Sequence, residues 1–105
     1  MLTQAPDLAG PERADIRLEE VLHALSDPIR LCIVAGLREG GDERRCGSFD
    51  VPVTKSTLTH HFRVLREAGV ICQRQEGTAR LSRLRSEDLD ERFPGLLDAI
   101  LRSAG

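Results

Sequence analysis

Tryptophan and tyrosine are missing from the 105 residues, and phenylalanine occurs three times. The core must therefore be aliphatic, and nucleic-acid binding by aromatic base stacking, as on single-strand and RNA platforms, is disfavoured. No window approaches the ~18 unbroken apolar residues of a membrane span, so no membrane contact is expected. The opening Met1 to Gly10 has neither a basic head nor an apolar stretch, so no secretory signal is expected and the address reads as cytoplasmic. Cysteine is sparse: three residues, an odd number set far apart, argue against a disulfide framework and for reduced thiols. Lysine is nearly absent, one against fourteen arginines. No nucleophile–base–orienter set, paired acids or glycine-rich phosphate loop is visible, and an enzyme is not expected.

What is present is the material of one small domain, able to bury about 65% of its unfolded surface. The net charge of −2 conceals an uneven distribution. Residues 1–53 carry 6 basic and 10 acidic side chains, residues 54–85 carry 7 and 2, and residues 86–105 carry 2 and 5. The middle third is thus a basic block between acidic flanks, a pattern tied to polyanion contact. Charge alone leaves open a solvated surface on which like charges cluster.

Residues 1–12, with Pro6, Gly10 and Pro11, read as a flexible N-terminal arm, and 13–105 as the folded domain. Leu18, Val21, Leu22 and Leu25 recur at helical spacing from Asp15 onward. Asp27 and Pro28 are cap and first residue of a second helix running to about Arg38, burying Ile29, Leu31, Cys32, Val34, Ala35 and Leu37 until Gly40-Gly41 stops it. A polar loop, Asp42 to Arg45, leads to room for one short helical turn before Pro52. Thr54 caps the next helix, which turns Leu58, Phe62 and Leu65 inward and ends at Ala68 before Gly69. A hairpin follows, Val70 to Arg85, turning at Glu76-Gly77-Thr78; its return strand alternates poorly, which admits a bulge or loose register. Ser86 caps a last helix bearing Leu89, Phe93, Leu96, Leu97, Ile100 and Leu101, interrupted at Pro94-Gly95, with Pro94 as the simplest fresh start. The expected fold is mainly α (α+β): a winged helix-turn-helix with a two-stranded hairpin wing, in the order α-α-α-α-β-β-α.

Thr54 to Arg66 carries the functional signal. With Leu58, Phe62 and Leu65 inward, Ser56, Thr59, His60 and Arg63 lie on or beside the opposite face, and Lys55 and Thr57 stand at the helix start. Hydroxyls, an imidazole and a cation suit a helix whose N-terminal end enters the major groove, and the positive helix terminus attracts phosphate. An ordinary amphipathic helix is the bland reading. It is weakened by the lack of any acid across 54–66, where a generic solvated face mixes both signs. Adjacent His60 and His61 diverge by about 100° and cannot chelate one metal together; a DNA contact for His60 and a half-buried packing role for His61 are expected. At the wing, Arg74, Gly77 and Arg80 form a tip able to reach the minor groove or backbone, against the alternative of a plain exposed turn.

Leu25-Ser26-Asp27-Pro28-Ile29-Arg30-Leu31, followed by Ser56 through Ile71 with His60-His61 and Leu65-Arg66-Glu67-Ala68-Gly69, resembles the ArsR/SmtB family of bacterial repressors. The resemblance covers residues 15–103, and Glu76-Gly77-Thr78 matches the family's wing tip. It implies a winged-helix homodimer joined by its first and last helices, bound to double-stranded DNA at a near-palindromic operator and released by a metal or metalloid ion or another inducer. Leu18, Val21, Leu22, Leu89, Phe93, Leu96, Leu97, Ile100 and Leu101 are the candidate dimer surface. The chain departs from the family's metal sensors: Cys46 stands where a Cys-x-Cys pair is typical, and the last helix has no His, offering carboxylates such as Asp88, Asp90, Glu91 and Asp98. Cys32 and Cys72 read as small packing residues. Cys46, after Arg44-Arg45, is the candidate soft-metal ligand or reactive thiol, with an inert loop cysteine as the alternative. The rival function is a winged-helix protein-interaction module without operator binding.

Overall fold

Local chemistry sets most element boundaries. In the computed structural model, which describes residues 10–104, a 3-10 turn (Arg13–Asp15) precedes helix α1 (Leu18–Ala24). The Asp27 carboxylate then accepts from the amides of Ile29 (2.9 Å) and Arg30 (3.1 Å) to start α2 (Pro28–Glu39), and Pro28 has no amide to satisfy. Thr54 caps α3 (Lys55–Ala68) by accepting from the Thr57 amide at 3.2 Å. Gly69 closes α3 in the left-handed region at φ 87°, and a Cβ there would lie 2.7 Å from Ile16 Cγ1. The boundaries of α2 and α3 fall where the cap residues predict them, within a residue or two, whereas α1 has no side-chain cap and starts at Leu18 rather than near Asp15.

The wing holds the differences. Strands β2 (Ile71–Glu76) and β3 (Ala79–Leu84) pair without interruption from Ile71↔Leu84 to Glu76↔Ala79, across a two-residue turn with Gly77 at φ 61°. No bulge is needed. Ser82, not Leu81, points inward opposite Gln73, which accounts for the poor apolar alternation of the return strand. A third strand, β1 (Glu43–Arg45), lies where a loop was expected and pairs with the other edge of β3, giving the order β1-β3-β2. Its charged side chains suit a short, exposed edge. The expected helical turn before Pro52 is the 3-10 turn Cys46–Ser48. The last helix is two, α4 (Ser86–Arg92) and α5 (Leu96–Ala104), separated by a turn with Gly95 at φ 81°; the helix resumes at Leu96 rather than at Pro94. Ser86 is not a cap, since its hydroxyl donates to Asp42 Oδ2 at 3.0 Å.

The core gathers Ile16, Val21, Ile33, Val34, Leu37, Leu65, Val70, Ile71 and Leu84, all essentially inaccessible to water. Each such aliphatic side chain contributes about 1.5–3 kcal/mol of burial. Cys32, expected in this core, is exposed, and Ile33 takes the inward position. From Ile29 to Ala35 α2 is apolar on nearly every side except Arg30, so periodicity alone selects no inward face. Residues 1–9 of the expected arm lie outside the described residues. Pro11 is held: its carbonyl accepts from Arg85 at 2.6 Å, and Arg92 donates to the carbonyls of Ala14 (2.8 Å) and Ile16 (2.6 Å). Among the described residues no helix is long and apolar enough to cross a membrane. The architecture is a winged helix-turn-helix, with α2 and α3 as the helix pair.

Candidate nucleic-acid interface

Helix α3 divides cleanly between two environments. His61, Phe62, Leu65 and Ala68 are buried against the core, while Lys55, Ser56, Thr57, Thr59, His60 and Arg63 are all exposed. The Thr54 hydroxyl donates to Thr57 Oγ1 (2.9 Å), and the Thr59 hydroxyl donates to the Lys55 carbonyl (3.0 Å), so the first turn carries its own polar lattice. Arg63 meets Glu67 one turn on at 3.5 Å, both well exposed, a pairing worth little in water.

The buried side of α3 is oriented by charge as well as by apolar packing. Arg30 donates through Nε to the Ala24 carbonyl (2.6 Å), at the C-terminus of α1, and through Nη1 to His61 Nδ1 (3.1 Å). Because arginine only donates, Nδ1 must carry the lone pair and Nε2 the proton. One guanidinium thus joins the end of α1, the start of α2 and the middle of α3. Burial pushes the Asp27 carboxyl up, but the hydrogen bonds from the Arg30 and Ile29 amides and the nearby Arg30 charge outweigh it and hold Asp27 below the usual carboxylate range.

Strand parity decides which wing residues join α3. Alternate side chains of a strand point to opposite faces, so the register that sets Gln73 opposite Ser82 and Gln75 opposite Arg80 places all four on the α3 side. Arg80 and the exposed Gly77 tip therefore accompany the polar face of α3. Arg74 does not. It lies on the other face of the sheet, donating to Glu76 (2.7 Å) and Glu43 (3.3 Å), which hold its proton more firmly than usual. The signal for this was present in the spacing, since Arg74 and Arg80 fall on opposite parities across a two-residue turn.

A helix pair whose second helix carries no acid from Lys55 to Arg66 on its exposed face, beside a basic wing, has curated relatives. The chain is 32% identical over 83 residues to YceK of Bacillus subtilis, an uncharacterized HTH-type transcriptional regulator, spanning 77% of this chain and 83% of that protein. The chain belongs to the HTH-type transcriptional regulators. A second such regulator, from Methanocaldococcus jannaschii, is 37% identical over 60 residues, spanning 56% of this chain and 67% of that protein. No family model matches the chain.

Sequence reasoning missed two residues of this HTH-type regulator that sit between α3 and the wing. Arg66 donates through Nη1 to Gln73 Oε1 (2.7 Å), and Gln73 donates through Nε2 to Ser82 Oγ (3.0 Å) and Cys46 Sγ (3.3 Å). Arg66 Nε is buried without a partner among the described residues. Gln73 was unremarkable in sequence because the wing was read for its apolar members, its arginines and its glycine. Cys46 is half-buried, 3.0 Å from Ser82 Oγ. Its neighbours are an amide and a hydroxyl, and no group of three or more His, Cys, Asp or Glu able to hold a metal ion occurs among the described residues. Among the described residues of one protomer, the groups around Cys46 do not form a metal-ligand set.

The regulator's candidate dimer residues also separate. Val21, Leu89 and Leu97 face the protomer's own core. Phe93, Leu96, Ile100 and Leu101 are half-buried, while Leu18 and Leu22 on α1 are 42% and 45% exposed, the large hydrophobics left to solvent among the described residues.

Proposed function

We propose that this regulator is a homodimeric repressor of the ArsR/SmtB type that binds a near-palindromic operator in duplex DNA. The observation that carries the reading is the coincidence, on one side of the molecule, of the exposed α3 face from Lys55 to Arg63 and the wing residues Gly77 and Arg80. The α3 face enters the major groove, where Ser56, Thr57, Thr59 and His60 meet base edges. Lys55, Arg63 and Arg80 neutralise phosphates. Buried Arg30 and His61 hold the angle of α3 without touching DNA.

The second copy meets the first through Leu18 and Leu22 together with the half-buried stripe of α5 and Phe93. Scattered exposed leucines are ordinary, but two on one turn of a short helix, with a second half-buried apolar stripe on α5, support a contact. Half-sites then lie about one helical turn apart, ~34–36 Å. Selection of binding sequences from a random duplex pool tests the reading. An enriched inverted repeat, bound at least tenfold less tightly by Arg63→Ala or His60→Ala variants of unchanged melting temperature, supports it. No enrichment, with both variants binding like the parent, sinks it in favour of a protein-interaction module.

A further inference from the structure

Between α3 and the wing lies a cleft of about 280 Å³ lined by Thr59, Arg63, Arg66, Gln73, Arg80 and Cys46. Three guanidiniums, an amide, a hydroxyl and a thiol converge there, and no carboxylate lines it. Its one aromatic wall is Phe62, held edge-on by Phe49 with ring centroids 5.5 Å apart. Outside the cleft Arg13 and Arg85 are answered by Asp88, Arg38 by Asp98 and Arg74 by Glu43 and Glu76, and at the rim Arg63 meets Glu67 at 3.5 Å with both side chains well exposed. In the cleft Arg80 has no side-chain hydrogen bond or ion pair among the described residues, and Arg66 has an idle, buried Nε.

We propose that this cleft binds a small free oxyanion, of the phosphate or carboxylate type, held by Arg66 and Arg80 and seated against Cys46. Guanidinium forks match the two oxygens of such a group, and a turned Arg66 offers its idle donor as the second prong of a bidentate contact. The volume suits a compact ligand rather than a large one. Depth separates the free anion from the phosphodiester of DNA. Gln73 at the floor is 2% exposed and Arg66 and Cys46 are half-buried, whereas Lys55, Arg63 and Arg80 stand exposed at the rim. A phosphate carried on the duplex backbone meets the rim; a free oxyanion reaches the floor. Arg63 and Arg80 belong to both the cleft and the DNA face, so occupation of the cleft weakens operator binding. That last consequence rests on the DNA-binding reading; the cleft itself does not.

The test needs no DNA. The full reduced chain is alkylated with iodoacetamide at constant ionic strength while chloride is replaced by inorganic phosphate, and the rates at Cys46 and at exposed Cys32 are read separately by peptide mass spectrometry. The expected result is saturable protection of Cys46, about tenfold when phosphate stands at about ten times its dissociation constant, with Cys32 unchanged. Arg80→Gln, at an exposed position outside the core, abolishes the protection. Equal slowing at both thiols, protection that never saturates, or full protection retained in Arg80→Gln would overturn the proposal. So would Cys46 protection by a plain duplex oligonucleotide that is lost in Arg66→Gln, which would make the floor part of the DNA contact. Phosphate protection in a protein that binds no duplex would defeat the operator reading and leave the cleft standing.

Discussion

Replacing Arg30 by Met keeps the aliphatic stem and removes the guanidinium that joins three helices. Two acceptors lose their donor, the Ala24 carbonyl at the end of α1 and His61 Nδ1 in α3. Arg30 is 8% exposed and so is His61, so water replaces the lost bonds poorly. A buried acceptor left unsatisfied costs about 1–3 kcal/mol, and relief from desolvating the buried cation returns part of it. The net expectation is a loss of about 2–4 kcal/mol, on the order of 10–25 °C in melting temperature for a domain of this size. Urea unfolding followed by circular dichroism measures it, the midpoint falling with an unchanged slope. His61→Phe in the same background should cost less than it does alone, because its partner has already gone. A loss below about 1 kcal/mol for Arg30→Met, or simple additivity of the two changes, would show that the guanidinium does not hold α3 in place.

Three further outcomes follow from particular contacts. Gly69→Ala combines a left-handed φ with a Cβ 2.7 Å from Ile16 Cγ1 and should destabilise by more than about 2 kcal/mol, whereas Gly77→Ala, with nothing within 4 Å, should cost about 1 kcal/mol; equal costs would refute the close packing of Ile16. For Asp88, burial raises the carboxyl but hydrogen bonds from Arg13 and Arg85 outweigh it, and Asp27 is likewise held low. Both therefore add stability that is complete above the unfolded carboxylate value of ~3.9 and disappears as pH falls through their lower native values. Denaturant midpoints should fall below about pH 4 and fall less steeply in Asp88→Asn; midpoints that rise on acidification would contradict this. Leu18→Glu with Leu22→Glu should convert a dimer to a monomer in sedimentation velocity with little change in helical content, and a dimer that survives both changes places the interface elsewhere.

Legibility in the sequence followed the range of the interaction. Asp27, Thr54 and Gly69 act on amides and carbonyls within a few residues, so their roles could be read directly. The polar face of α3 was legible for the same reason, because a helix converts spacing into direction. Strand β1 was not, since Glu43–Arg45 has no apolar pattern and exists only by pairing with residues about forty positions on. The inward turn of Ser82 escaped notice because it is stabilised by Gln73 and Cys46 rather than by apolar contact. Cys32 was misplaced because α2 is apolar almost all round, and only the packed tertiary structure selects Ile33. At the candidate site, Arg63 and Arg80 were found from charge, Arg74 needed the strand register to be separated from them, and Arg66 and Gln73 needed the packed interface.

In the proposed complex the exposed face of α3 and the inner parity of the wing together meet DNA phosphates. Fluorescence anisotropy of a labelled duplex, titrated over a range of salt, measures this directly. Each phosphate contact contributes about 0.9 to the slope of log affinity against log salt. The triple variant Lys55→Ala, Arg63→Ala, Arg80→Ala should bind more weakly with a slope shallower by about 2.7, while Arg74→Ala, on the opposite face, should leave the slope unchanged. A slope that survives the triple change, or one that falls with Arg74→Ala instead, would contradict the account.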